Sequence, residues 1–442
     1  MNVASQVAAV LPRTIADLKE LIAIPSISAM PEHAGDVRRA DDLIASWLGE
    51  LGAASVEVVQ EGGQPAVIAH FPAPAGQPTV LLYAHSDVQP FGDVSAWSSA
   101  PTEAVERGGR LYGRGAADNK NGVAAHLAVL RAFAGKPPVG VTVFIEGEEE
   151  SGSASLTKII ERHREALAAD VFVIADSGNW EVGEPAITNT LRGVGECVVT
   201  LRTLAYGVHS GEFGGVVPDA LTTLCRLLAT LHDDAGNVAV EGLVRTPGPE
   251  LDYSLERLAD ETGKLPNTEW IGSGSMVERM WTAPSISVLA LDTTRVAEAS
   301  NTLIPVASAK IGLRVAPGDD AARALRCVVE HLRSHVPWGA ELEIADLNSG
   351  DPGSIPTDGV AVQAMSEAMR QAWGKEPVFM GTGGSIPMIA EFQRAFPGAE
   401  VLCVGTCDPD SRIHGINESL ELDDLRKFAL AEALLLEKVA KD

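Results

Sequence analysis

Four carboxylates fall within five positions in Glu146-Gly147-Glu148-Glu149-Glu150, directly after Val141-Thr142-Val143-Phe144-Ile145. The preceding run is β-branched and apolar and reads as a buried strand. Like charges this close raise one another's pKa, and a multivalent cation would remove that cost. An acidic, solvated loop is the plainer reading of the same residues. Other polar residues stand where further strands should end. His85 and Asp87, in Ala84-His85-Ser86-Asp87-Val88-Gln89-Pro90, follow a strand-like run. Asp118 lies in Gly113-Arg114-Gly115-Ala116-Ala117-Asp118-Asn119-Lys120, which leads into a helical stretch. Asp176 ends the run 171–175, and His414 follows the run 401–405 after a loop. Open α/β sheets gather ligands at the carboxyl ends of their strands. Two histidines with several Asp and Glu suit a hard-to-borderline dication.

Singly, each residue has a duller reading. His85 and His414 could be satisfied structural histidines, Asp118 a helix N-cap and Asp176-Ser177-Gly178 a turn. The glycines of 113–122 lack the spacing of a phosphate loop. Gly381-Thr382-Gly383-Gly384-Ser385, before a helix, could hold an anion on free N–H groups. The whole set in this order carries the specificity.

The elements that must position these residues alternate in type. Apolar spacing predicts helices over 11–24, 36–51, 118–133 and 155–167, and strands over 56–59, 66–71, 79–83, 139–145 and 171–175. Such alternation argues an α/β sandwich around a largely parallel sheet. Near residue 191 the pattern becomes strand 195–204, helix 218–231, strands 285–291 and 307–315, helix 319–336 and strand 341–347. That is the β-α-β-β-α-β, ferredoxin-like order. A Gly/Pro-punctuated insert, roughly 233–284, interrupts it, and 348–354 reads as a linker. The first style then returns, with helices 359–373, 386–392 and 422–439 and strands 378–380 and 400–404. One domain, 1–190 with 355–442, is therefore expected to be interrupted by another, 191–354.

A chain of 442 residues exceeds one ordinary core. Its net charge of −26 makes it a poor partner for nucleic acid or an anionic membrane. The five cysteines are odd in number and scattered in apolar runs, which suggests buried free thiols in a reducing cytoplasm. Val7-Ala8-Ala9-Val10-Leu11 is too short and lacks the flanks of a signal peptide, and no apolar run is long enough to span a membrane.

Taken together, His85-x-Asp87-Val88, Gly113-Arg114-Gly115-x-x-Asp118-x-Lys120, Glu148-Glu149-Glu150-x-Gly152-Ser153, Asp176 and His414-Gly415-x-Asn417-Glu418 resemble a known family. It is that of the two-metal zinc peptidases and amidohydrolases, which includes carboxypeptidase G, aminoacylase, acetylornithine deacetylase, succinyl-diaminopimelate desuccinylase and the carnosinases. The resemblance covers essentially the whole chain. It implies a zinc-peptidase-like α/β catalytic domain with a ferredoxin-like lid that also dimerises. Asp118 would bridge two divalent ions, zinc with manganese or cobalt as alternatives. His85 and Asp176 would complete one site, Glu150 and His414 the other. Glu149 would be the general base, Asp87 would orient the His85 ring, and the Asp118–Asn119 peptide would be cis.

In the lid, Val208-His209-Ser210-Gly211 resembles the segment whose histidine helps hold the oxyanion, from the partner subunit in dimeric members. Asn301-Thr302-x-x-Pro305, Arg314 and Gly383-Gly384-Ser385 resemble the segments that grip a substrate carboxylate. Ala84 and Gln89 depart from many members, which carry Gly and Val there. Ala-His-x-Asp-Val-Gln-Pro and the long lid insert look closer to the dipeptidase and carnosinase branch. The implied activity is hydrolysis of an amide bond in dipeptides or short peptides bearing a free carboxylate, in the cytoplasm. An N-acyl amino acid deacylase is the alternative within the class, and a non-catalytic metal-binding scaffold the alternative outside it.

Overall fold

The structure is a computed structural model that describes residues 2–384 and 387–441. One compact unit comprises Met1–Asn189, Ile355–Met380 and Pro387–Asp442. Its sheet runs in the spatial order Ser55–Val59, Ala66–Phe71, Gly140–Glu146, Thr79–His85, Val171–Gly178, Glu400–Cys407 and Ala186–Leu191. The four central strands, Gly140–Glu146 through Glu400–Cys407, are mutually parallel. The flanking pairs are antiparallel, so the sheet is mixed and not largely parallel as expected. Ser55–Val59 and Ala66–Phe71 are joined as a hairpin, which needs no helical crossover, and the alternation of elements fails at that edge. Thr79–His85 is buried from its second residue to its last, as a strand covered on both faces must be. Lys120–Ala132 is buried at every residue but Arg131, with small apolar side chains on all sides.

Several expectations are corrected. The first helix is Val3–Ile22, with Pro12 inside it. A proline in a helix interior costs about 3 kcal/mol. Burial of Val3, Val7, Leu18, Leu21 and Ile22 on one face outweighs that, at about 1.5–3 kcal/mol for each large apolar side chain. The helix expected over 155–167 breaks at His163 into Leu156–Arg162 and Arg164–Leu167. The segment 348–354 is mostly strand. Asn348, Ser349 and Gly350 pair with Glu196, Gly195 and Val194, and Gly353–Ser354 pairs with Leu191 and Thr190. An edge strand needs only its backbone groups on one side, so polar and glycine residues suffice. The cysteines are free but not uniformly buried, since Cys225 is exposed. No helix among the described residues is long and apolar enough to cross a membrane.

The second unit comprises Thr190–Ser354 and Gly381–Ile386. Its sheet has the order Ser285–Asp292, Val306–Val315, Gly193–Arg202, Glu341–Gly350, antiparallel throughout. Ala220–Ala229 and Ala321–Ser334 cover one face and complete the ferredoxin-like pattern. The insert holds the helix Leu255–Thr262 and the short π-helix Glu278–Thr282.

Candidate metal centre

Parallel strands end on one side of a sheet, and that fact alone gathers most of the donors. His85 closes Thr79–His85 and stands in register with Glu146 at the end of its neighbour. Asp176 lies near the end of Val171–Gly178 on the other side. Asp118 comes from the turn before Lys120–Ala132. It is not the N-cap of that helix. One of its oxygens faces each of the two histidines instead.

His85 Nε2 lies 3.2 Å from Asp118 Oδ1 and 3.6 Å from Asp176 Oδ1. His414 Nε2 lies 3.0 Å from Asp118 Oδ2 and 3.2 Å from Glu150 Oε2. Donors about 2.1 Å from a tetrahedral ion sit about 3.4 Å apart, so both groups have the spacing of a common cation. The groups His85, Asp118, Asp176 and Asp118, Glu150, His414 share Asp118. Glu150 Oε1 is buried without a hydrogen-bond partner among the described residues, a free acceptor of the kind a cation satisfies. The nitrogen and oxygen donor set fits zinc, manganese or cobalt. The Asp118–Asn119 peptide bond is cis.

The acidic run does not act as one knot. Buried Glu146 accepts from the Tyr83 hydroxyl at 2.9 Å. Glu148 accepts from the backbone N–H groups of Gln64 and Ser155. Glu150 faces His414. Glu149, half-buried, has Oε2 4.0 Å from His85 Nε2 and lies outside both donor groups. Asp87 sets the turn that carries both, accepting from the N–H groups of Glu149 at 3.2 Å and Glu150 at 3.0 Å. Its Oδ1 is also 3.3 Å from His85 Nδ1.

Electrostatics follow from this crowding. Burial alone would lower His85, but the charge of Asp176 and hydrogen bonds to Asp118, Asp176 and Asp87 outweigh it and raise its pKa. Hydrogen bonds to Asp118 and Glu150 push His414 up to about 10. Burial, then the charge of Asp176, raises Glu149. Both imidazoles thus bind protons more tightly than usual, and a dication must compete with those protons. Metal uptake is expected to release protons and to weaken as pH falls. Calorimetry in buffers of different ionisation enthalpy measures this. A binding enthalpy independent of the buffer would count against it.

Arg114 and Glu418 lie within the motifs above, where neither has an expected role. Both are buried. Glu418 Oε1 accepts from the N–H groups of Ala117 at 2.9 Å and Asp118 at 3.1 Å, and Oε2 from Arg114 Nη1 at 2.6 Å. Arg114 Nη2 donates to the His414 carbonyl at 3.3 Å. The pair thus clips the Asp118 turn to the His414 loop. His414 itself sits at φ +62°, a region a side chain adopts only when held. Asn119 and Gln89 likewise have no ligand-holding role expected from the sequence. Asn119 donates to Asp176 Oδ1 at 3.2 Å, and Gln89 to Glu150 Oε2 at 2.8 Å. Their amide type beside ligand positions was the only available signal. Glu418→Gln is expected to weaken metal affinity about 10- to 100-fold while the chain still folds. Titration in metal buffers reads this directly, and an unchanged affinity would refute it.

The lid candidates lie in the second unit. His209 is exposed, stands in register with Thr302, and its Nδ1 accepts from the Gly211 N–H at 3.1 Å. The Ser210 N–H donates to the Asn301 carbonyl at 2.8 Å, so His209 and Asn301 share one corner. Arg314 is half-buried in Val306–Val315. Gly383 and Gly384 follow Val378–Thr382, and Ser385 lies outside the described residues.

Residues 81–438 match the family described as Peptidase family M20/M25/M40. The chain is 36% identical to a cysteinylglycine-S-conjugate dipeptidase of Corynebacterium striatum, over 96% of this chain and 95% of that one. It is 28% identical to the human beta-Ala-His dipeptidase, over 91% of this chain and 85% of that one. The crystal structure of human carnosine dipeptidase 1 superposes with a TM-score of 0.84 at 26% identity, covering 99% of this chain and 98% of the other.

Proposed function

The chain belongs to peptidase family M20/M25/M40 and is a metal-dependent hydrolase of its dipeptidase branch, and from that premise we propose that it cleaves the amide bond of dipeptides bearing a free terminal carboxylate. The similarity to a cysteinylglycine-S-conjugate dipeptidase and a beta-Ala-His dipeptidase supports that substrate class. The observation that carries the reading is Asp118, whose two oxygens each face a different histidine.

His85, Asp118 and Asp176 would hold one divalent ion, and Asp118, Glu150 and His414 a second. Zinc is the first choice for both, with manganese or cobalt accepted by the same donors. Such a pair, when bound, would polarise a carbonyl and lower the pKa of a water towards about 7. Glu149 takes the proton of the attacking water on a carboxylate oxygen and returns it to the leaving amine. The raised pKa of Glu149 suits a group that must hold that proton between the two steps. Asp87 keeps Glu149 and Glu150 in register, as its bonds to both N–H groups suggest.

The family resemblance extends the proposal to the lid. His209 would hold the oxyanion, and Asn301, Arg314, Gly383, Gly384 and Ser385 the carboxylate. Homodimerisation through the lid is supported by Ser285–Asp292, an edge strand that exposes Val288, Leu289 and Leu291. The net charge of −26 supports small-molecule substrates over nucleic acid or anionic membrane, and free thiols support a cytoplasmic setting.

A panel of dipeptides against N-acetyl and N-succinyl amino acids, with zinc, manganese or cobalt added back, tests the proposal. Preference for the acylated amino acids would make the chain a deacylase. Absence of hydrolysis together with less than about one ion per chain would make it a scaffold.

A further inference from the structure

On the helix-free face of the lid sheet, two guanidiniums stand close together with no carboxylate among the described residues paired to either. Along Gly193–Arg202 the odd-numbered residues are buried and the even-numbered ones are not. The register sets Val194 opposite Arg314 and Gly193 opposite Val315. Arg192, two residues before Val194, falls on the same face as a diagonal neighbour of Arg314, within reach of long side chains. Ser285 pairs with Arg314 from the other side, and its Oγ accepts from Arg192 Nη1 at 3.1 Å.

The remaining bonds of Arg192 run to neutral carbonyls. Nε donates to Gly383 at 3.4 Å, and Nη1 to Arg279 at 3.4 Å and Ala283 at 3.5 Å. Nη2 has no partner among the described residues, and neither has the Arg314 side chain. Neighbouring carboxylates are engaged elsewhere, Glu196 by Lys310 at 2.9 Å and Glu278 by Arg245 at 2.6 Å. Burial, and then the charge of Arg314, push Arg192 down to about 10. Leaving desolvated positive charge unpaired is costly, and a planar guanidinium fork is best satisfied by a carboxylate.

We propose that Arg192 joins Arg314 as the second guanidinium of a pocket that receives the terminal carboxylate of the substrate and so determines specificity for it; this rests on the dipeptide reading above. Gly383 belongs to the same pocket. A Cβ there would lie 2.7 Å from Arg192 Nη2, so a side chain at 383 would crowd that donor and push it aside.

The test is steady-state kinetics of the full-length, metal-loaded enzyme on alanylglycine and its C-terminal amide. Wild type prefers the free acid. Arg192→Met lowers the acid-to-amide ratio of kcat/KM by about 10- to 100-fold, mainly through KM for the acid. Arg192→Lys retains part of the preference, and Gly383→Ala shifts the ratio the same way as Arg192→Met. If Arg192 merely fastened the Gly383 loop, both substrates would suffer alike and the ratio would stand, which overturns the proposal. Should the methionine variant fail to fold, judged by thermal melting, the lysine and alanine variants decide. A wild type without preference for the acid would sink the dipeptide reading as well. A wild type that prefers it, with variants within about twofold in ratio, would sink only the role of Arg192.

Discussion

Replacing Glu149 by glutamine is expected to lower kcat by about 10²- to 10⁴-fold, the range typical of a lost general base. The amide cannot accept and return a proton, yet it keeps the size of the carboxylate. Metal content should not change, because Glu149 belongs to neither donor group. The bonds that shape its turn involve its backbone N–H and the Asp87 carboxylate, which the substitution leaves alone. KM should move little, since the loss falls on a step made only in the transition state. Metal analysis and kinetics on one preparation check both halves. A variant within several-fold of wild type, or one stripped of metal, would remove Glu149 from the role of base.

Asp118→Ala carries the other large effect. Asp118 is the one donor common to both groups. Its removal should empty both positions, whereas His414→Ala should disturb only the group it shares with Glu150. Bound cations would supply several kcal/mol of transition-state stabilisation, and each 1.36 kcal/mol is tenfold in rate. A loss of at least about 10³- to 10⁴-fold is therefore expected, with no rescue by added zinc, manganese or cobalt. Elemental analysis of the two variants side by side is the measurement. Retention of both ions by Asp118→Ala would dismiss the bridging arrangement.

Much of this centre was legible in the chain because its ingredients are local. A strand shows in a run such as Val141-Thr142-Val143-Phe144-Ile145, and a donor at its end can be read from residue type. The parallel arrangement of three such strands then places His85 and Asp176 on one side by geometry alone. The acidic run was less transparent. Its carboxylates looked equivalent in sequence, but Glu146 and Glu148 serve Tyr83 and backbone N–H groups, while Glu149 and Glu150 turn towards the histidines. That division depends on Asp87, in the loop that follows a different strand, and no local pattern encodes it.

The clip between Asp118 and His414 was hidden for a related reason. Arg110–Tyr112 pairs with Ser419–Glu421 in a small sheet whose strands are three residues each, too short to show periodicity. That pairing draws Glu418 to Arg114 across the length of the chain. Residue type, spacing and strand pattern, all short-range properties, pointed to the candidate donors, the α/β elements and the ferredoxin-like insertion. Long-range register decided the mixed sheet, the fate of each carboxylate, the tolerance of Pro12 and the meeting of Arg192 with Arg314. Those outcomes follow from which distant segments share hydrogen bonds and buried surface, and such partners exist only once the chain has closed on itself.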